Sequence, residues 1–544
     1  MSTLLSTLGI SHEFVREGEI DGSERLAGRI HLVIGEADGN LMNYLCREAA
    51  VVVLPEPDFV PSAVTQNPAP STQHPALEYD PDTFRLISRP TRNGYVVGIA
   101  ADLVGLAFRL PARGEEYAVP TRDTHDRFQW DYSSLSKSYR GPRPLVSEYS
   151  HLLLDCFLEC SKHTKQPMIR KEFWPNGKPM AGCLTHDVDV VKRGKLGHGV
   201  AVRDVKGALS SLMTGRLGRA AGQISTIATT ATSSKDPYWT FDRIAAMEEA
   251  HDFRSTYYFM ADNRHPEDAV YTLADPSISD LMAKLEGNGC EIGLHGSYAS
   301  YTDAEMLSSL KTELEQKLGH AVIGHRNHFL RFRVPDSWKA QEAAGFTYDA
   351  TLGFADHEGF RGGHAFPFVP YDLATDRPIG LVEVPLAVME VSLSKYRKLR
   401  GEDAAGAIQT VLRQATAVGG LATLLWHNDS FFDPESPGVG ALYERSLDWL
   451  AEENAHVAPV QEIVAWWKSR EAVRLIPLED GRNGWRMEAP EEIDGLVLRI
   501  GLPDAGSSLR VHGQVPLALR RDGPDHLLEY GPLPAGFSMD IEYR

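Results

Sequence analysis

Long apolar runs are missing from this 544-residue chain. No window approaches ~18 uninterrupted hydrophobic residues, so no conventional membrane-spanning helix is expected. Cysteine is scarce: Cys46, Cys156, Cys160, Cys183 and Cys290 are the whole set. An odd, sparse set excludes a disulfide framework and reads as reduced thiols. Positive charge is also short, with 55 Lys and Arg against 74 Asp and Glu, a formal charge of -19. That balance excludes a general nucleic-acid binder, which needs clustered cations for phosphate. The first twenty residues carry Glu and Arg and no apolar core, unlike a secretory signal. Together these point to a cytoplasmic protein.

What is present is an ordinary globular composition, 42% hydrophobic and 24% charged. The length suits roughly two to four domains, and three segments are expected. Residues 1–165 read as an α/β domain, with strand-like runs at Ile30–Ile34, Ala49–Leu54, Phe84–Ile87 and Tyr95–Ala100. Residues 166–472 alternate strand and helix, which predicts a parallel sheet or barrel. Its strands are expected at Gly182–Thr185, Ser255–Met260, Glu291–His295, Ala321–Gly324, Tyr348–Thr351, Leu381–Val384 and Ala422–Trp426. Thr302-Asp-Ala-Glu305 reads as a capping box. Residues 473–544 are rich in turn residues between short apolar runs, which predicts a small antiparallel β domain. A basic insertion, 190–234, sets seven Lys and Arg against the single acid Asp204. It is either a solvated excursion or a weak contact for a membrane surface or anionic lipid carrier.

Chemistry concentrates where predicted strands end. Thr185-His186-Asp187-Val188-Asp189 places two carboxylates on one side of a strand, since side chains alternate with period two. His186 then faces the opposite way, toward the core. Other strands end at His295 and His427. Acids and imidazoles at separate strand ends suit hydrolysis assisted by a metal. The cation acidifies a water, a carboxylate takes its proton, and an imidazolium protonates the leaving group. Cys156 and Cys160, four apart on one helix, have no second pair and read as packing. So does the Trp466–Trp467 pair.

These motifs resemble the polysaccharide deacetylase family, the NodB-homology or carbohydrate esterase fold, over roughly Gly182 to Trp467. The resemblance implies an irregular parallel (β/α) barrel that removes N- or O-acetyl groups from a carbohydrate. The implied cofactor is a divalent metal, zinc with nickel or cobalt as alternatives. It implies Asp187 as base, Asp189 and His295 as ligands, Arg326 as the group holding the base, and His427 as acid. The family's second motif has a further histidine four residues on, where this chain has Ala299. Two roles are open to His328, two past Arg326: replacement of that ligand, or a hydrogen-bonded wall. Backbone N–H groups beside Gly296–Ser297 are candidates for holding an oxyanion. Asp349, Arg361 and Glu383 are either pocket residues or structural ion pairs.

The sequence also looks like a subgroup found with polysaccharide-assembly enzymes. It shares Arg326-Asn-His-Phe-Leu-Arg331, the run from Asp349 to Arg361, and upstream Arg113-Gly-Glu-Glu-Tyr117 and His125-Asp-Arg-Phe128. A carbohydrate or glycolipid substrate in surface-polysaccharide biosynthesis follows from that likeness. Two alternatives stand beside it: a non-catalytic glycan-binding scaffold with a degraded metal site, and a deformylase-type amidohydrolase.

Overall fold

A computed structural model describes residues 108–137, 141–192, 236–433, 435–478, 482–502, 507–513 and 516–544. It also describes the backbone of four earlier strands and a few positions between 209 and 224. Most of the basic insertion lies outside the described residues.

The four early strands are β1 (His31–Ile34), β2 (Ala50–Leu54), β3 (Arg85–Pro90) and β4 (Tyr95–Ala100). They form one sheet in the order β1-β2-β4-β3, parallel except for the β3–β4 pair. The helix Leu145–Thr164 runs against β2 and β4. It also meets the central barrel, where His151 Nε2 lies 2.7 Å from the Val418 carbonyl.

After β5 (Met168–Lys171) the chain enters an irregular parallel (β/α) barrel. Its strands are β6 (Ala181–Val188), β7 (Thr256–Met260), β8 (Glu291–Gly296), β9 (Gly324–Asn327) and β10 (Tyr348–Asp349). A hairpin follows, β11 (Tyr371–Asp372) with β12 (Arg377–Pro378). Then come β13 (Val382–Glu383), β14 (Leu386–Met389), β15 (Leu421–Leu425) and β16 (His456–Val457). The sheet runs β13-β10-β9-β8-β7-β6-β15-β14, with β16 beside the start of β6. Its two ends, β13 and β14, are separated in the chain by Val384 and Pro385 alone. One interrupted strand thus curls the sheet back toward itself, and Pro385, lacking an N–H, marks the break.

Strands β6, β7, β8 and β15 are buried throughout and read as apolar runs, as a sheet covered on both faces must. The covering helices bury one stripe each. In Ala304–Leu318 it is Leu307, Leu310 and Leu314, at helical spacing. That helix is capped by Asp303, whose side chain accepts from the Met306 N–H, and it ends on Gly319 at φ 82°. The cap therefore falls one residue later than the expected Thr302 box. Asp also suits the position because a negative charge there complements the helix dipole.

The ninth strand also departs from expectation. The predicted Ala321–Gly324 run is a connection, and the ladder is Gly324–Asn327. Its His325, Arg326 and Asn327 are polar yet buried. Buried polar side chains hide a strand from a reading based on apolar runs. The β14 strand was not anticipated at all.

The tail forms two antiparallel sheets from β17 (Arg474–Pro477), β18 (Gly484–Ala489), β19 (Val497–Gly501), β20 (Leu509–His512), β21 (Ala518–Asp522), β22 (Asp525–Glu529) and β23 (Phe537–Tyr543). The second sheet, β21-β22-β19-β5, takes β5 from ahead of the barrel. One apolar cluster runs from Leu184 and Leu424 in the barrel through Trp467 to Met487, Leu498 and Ile541 in the tail. Trp466 and Trp467 belong to that packing, and Trp466 Nε1 donates to the Phe173 carbonyl at 3.0 Å. Cys156, Cys160 and Cys183 are buried, and burial pushes each thiol above its ordinary range.

Candidate metal and catalytic site

The ends of β6, β8, β9 and β15 bring the expected residues together. Asp187 lies in β6, and Asp189 follows its last residue. His295 lies near the end of β8, and Arg326 pairs with it across the ladder in β9. His328 opens a single 3₁₀ turn directly after β9, and His427 follows β15.

Three donor atoms converge. Asp189 Oδ1 is 3.3 Å from His295 Nε2 and 3.5 Å from His328 Nδ1, and the two imidazole nitrogens are 3.1 Å apart. Each ring's other nitrogen is committed to a backbone carbonyl. His295 Nδ1 reaches the Arg326 carbonyl at 3.0 Å, and His328 Nε2 reaches that of Glu267 at 2.7 Å. A carbonyl only accepts, so both of those nitrogens carry hydrogen. In the neutral rings the facing nitrogens are then bare lone pairs. Asp189 Oδ1 is buried and receives no hydrogen bond.

Two lone pairs and a carboxylate oxygen aimed at one point repel unless a cation lies between them. Tetrahedral zinc, with bonds of ~2.0–2.1 Å, holds its donors roughly 3.3–3.4 Å apart. The observed spacings match, and the residues fit a divalent ion. The carbonyls behind each imidazole set its tautomer, as outer partners of metal-bound histidine do. Among the described residues this is the one cluster of its kind.

Electrostatics agree with this grouping. Burial pushes the Asp189 carboxyl upward, but His328, His295 and His427 outweigh it and hold it well below the usual carboxylate range. Burial lowers His295, and Asp187 and then Asp189 carry it back above its ordinary value. For His328 burial dominates and the net direction is downward.

Around the triad stand the other groups. Arg326 is fully buried. Its Nη1 donates to Thr185 Oγ1 at 2.7 Å and to Asp187 Oδ1 at 3.2 Å, and Nε donates to the Ala350 carbonyl at 2.9 Å. Asp187 Oδ2 faces His295 Nε2 at 3.6 Å. His427 Nε2 is 3.6 Å from Asp189 Oδ2. Most of these side chains are enclosed, but Asp189 and His427 keep 22% and 15% exposure, so the site opens on their side.

Glu390, just past β14, escaped the sequence reading because that strand did. Its Oε1 accepts from the His427 backbone N–H at 2.9 Å and from Ser430 Oγ at 2.7 Å, and lies 2.8 Å from His427 Nδ1. Burial would lower the imidazole's basicity, yet Glu390, then Asp189 and Asp187, hold it well above its ordinary value. Such an imidazole keeps its proton and can donate it. Burial, with Asp189 and Glu390 nearby, raises Asp429 to about 6 against the opposing effect of His427.

Other candidates fall elsewhere. His186 faces the core, 2.8 Å from the Trp426 carbonyl and 2.8 Å from Glu248. Asp349 is enclosed with His325, Gln341 and Thr351. Glu383 accepts from Trp338 Nε1 and the Leu352 N–H, and Arg361 pairs with Glu116. All three are structural, not pocket residues. The Tyr298 N–H, beside Gly296–Ser297, is already donated to Asp268 at 2.7 Å.

No family profile matches the chain, and no curated protein does. Solved structures do. An assigned polysaccharide deacetylase from Mycobacterium smegmatis aligns with 55% of this chain and 93% of its own, at 18% identity and TM-score 0.35. Peptidoglycan deacetylase PdaC from Bacillus subtilis aligns with 54% of this chain and 94% of its own, at 11% identity and TM-score 0.27. BA3943 from Bacillus anthracis, described as a CE4 family pseudoenzyme, aligns with 54% and 66%, at 12% identity and TM-score 0.28. The structural neighbours are CE4-type polysaccharide deacetylases. At TM-scores below 0.5 none of these likenesses decides the chemistry here, which rests on the geometry of the site. No described helix is long and apolar enough to cross a membrane.

Proposed function

We propose that this protein is a metal-dependent hydrolase that removes an acetyl group from a carbohydrate. One observation carries the reading: two bare imidazole nitrogens and an unpartnered carboxylate oxygen meet at tetrahedral spacing beside Asp187. Asp189, His295 and His328 would hold the ion. When bound, a divalent cation supplies an acidified water and polarises the acyl oxygen.

The chain's own groups do the rest. Arg326 fixes the Asp187 carboxylate in place, so that it accepts a proton from the attacking water. His427, held protonated by Glu390, gives its proton to the departing nitrogen or oxygen. Glu390 and Arg326 are positioning groups; Asp187 and His427 exchange protons with the reactants.

In this reading the substrate is a sugar amide or ester, free or on a glycolipid, in surface-polysaccharide biosynthesis in the cytoplasm. Formyl is the alternative acyl group. In this reading residues 166–472 carry the chemistry, flanked by 1–165 and by 473–544, the latter sharing a sheet with β5 and an apolar core with the barrel. A binding scaffold is the second reading. Ala299 favours it, and His328 in the cluster opposes it.

The test is elemental analysis of purified protein, then acetate release from a panel of N- and O-acetylated sugars. Stoichiometric zinc, nickel or cobalt is expected, with release abolished in Asp187→Asn while the metal is retained. Protein that takes up no divalent metal refutes the proposal. Metal without turnover leaves the scaffold.

A further inference from the structure

The third ligand sits on an unusual support. Directly after His328, Phe329 and Leu330 adopt left-handed backbone at φ 60° and 53°. Two successive non-glycine residues in that region are disfavoured and persist only where surroundings over-determine them. The histidine lies beyond the β9 ladder, so the sheet does not hold it.

The support comes from residues 123–127, far upstream in the chain. Arg127 is buried. Its Nη1 donates to the Phe329 carbonyl at 3.2 Å and its Nη2 to Tyr396 Oη at 2.8 Å. Asp123 fixes Arg127 in turn, accepting its Nε at 2.8 Å and its backbone N–H at 2.9 Å. The His125 ring lies on the Phe329 ring with centroids 4.7 Å apart, and its Nδ1 is 3.0 Å from Tyr298 Oη. The His125 carbonyl accepts Arg331 Nε at 2.9 Å, on the far side of the same turn. Phe329 then meets the His328 ring edge-on, with centroids 4.5 Å apart. An unbroken series of contacts therefore runs from Asp123 to the ligand.

We propose that residues 123–127 are a clamp that positions His328, so that metal affinity depends on this front segment being docked on the barrel. The inference rests on the metal reading of Asp189, His295 and His328. It assigns Arg127 and His125 a positioning role that acts through His328 alone. His295 lies within β8 and Asp189 directly follows β6, with no left-handed turn beside either.

The experiment uses the full-length protein and a thermodynamic cycle on zinc affinity. Binding is measured by competition with chelators graded in strength. The variants are Arg127→Met, His328→Ala and their combination. Arg127→Met should weaken zinc binding about 10- to 100-fold, as loss of an outer partner does. In the His328→Ala background the same change should alter affinity by less than about threefold, because the ligand it positions is gone. An equal loss in both backgrounds marks Arg127 as merely structural and overturns the clamp. So does no loss in the parent. If Arg127→Met does not fold, His125→Ala removes the ring on Phe329 and leaves the buried Arg127 in place. It should weaken zinc binding in the parent background only, and unchanged affinity there overturns the clamp. A parent protein that holds neither zinc, nickel nor cobalt overturns the metal reading itself, and the clamp with it.

Discussion

Replacing Glu116 with Gln should release the front segment from the barrel. Glu116 is buried at 4% exposure and is the shared counter-charge of two buried arginines. Arg113 donates Nε to its Oε1 at 2.8 Å. Arg361, from the loop after β10, donates Nη2 to both oxygens at 2.8 Å and Nε to Oε1 at 3.0 Å. Burial raises the carboxyl, but Arg361 and then Arg113 outweigh it and hold it below its usual range. A depressed carboxylate contributes stability above its unfolded value and loses it as pH falls through the folded value. The amide removes the charge at every pH and leaves Arg361 enclosed without an anion. Breaking a buried pair from one side costs about 3–5 kcal/mol. Local opening of residues 108–137 should be easier by that amount. At about 1.4 kcal/mol per decade, amide hydrogen exchange in that segment should quicken by roughly two to four powers of ten. Mass spectrometry of peptides from 108–137 reads this directly. Acceleration below about tenfold there would refute the claim that this triad anchors the segment.

Three further outcomes are expected. Glu390→Gln removes the anion that holds the His427 proton, so the alkaline limb of a kcat/KM profile should move to lower pH; an unmoved limb contradicts the acid role. Lys171 is buried with its ammonium on the carbonyls of Arg470 and Val473 at 2.7 and 2.8 Å. Burial foremost, with Arg470, lowers its pKa to about 7. The unfolded chain then binds more protons from pH ~7 to ~10.5, and stability should rise by about 2 kcal/mol between pH 7 and 9. Denaturant unfolding of Lys171→Met should lack that rise, and parallel pH profiles would contradict it. In Gly324→Ala the new methyl would collide with the Tyr348 hydroxyl, which donates to buried Glu291 at 2.6 Å. A thermal scan should show about 1–3 kcal/mol of destabilisation, as overpacking produces.

Much of the barrel was legible because its strands are fully buried and its helices amphipathic. β6, β7, β8 and β15 announce themselves as apolar runs, and the carboxylates and histidines at their ends follow from strand alternation. β9 was misplaced by three residues because its buried members are polar. β14 has four residues after a proline, too short to register, and Glu390 vanished with it. The convergence of His328 was reachable from spacing, since Asn327 is extended and the residue two past Arg326 reaches Asp189. The left-handed turn that follows was not, and nothing in Phe329-Leu330 advertises it. The pocket roles open to Asp349, Arg361 and Glu383 dissolved because each finds a partner distant in sequence, which no local pattern encodes.

The strand β5 precedes the barrel, yet its ladder partner among the described residues is β19 of the tail. The barrel is therefore seamed shut where the chain enters and leaves it. A truncation ending near residue 472, the natural place to isolate the barrel, would strip β5 of its neighbour. It would also remove Leu475, Met487 and Leu498 and so bare the barrel side chains that share one apolar cluster with them. Such a fragment would carry a raw sheet edge, prone to pairing with its own copies. Insolubility of that fragment would then report a torn seam and say nothing about the chemistry at the other end.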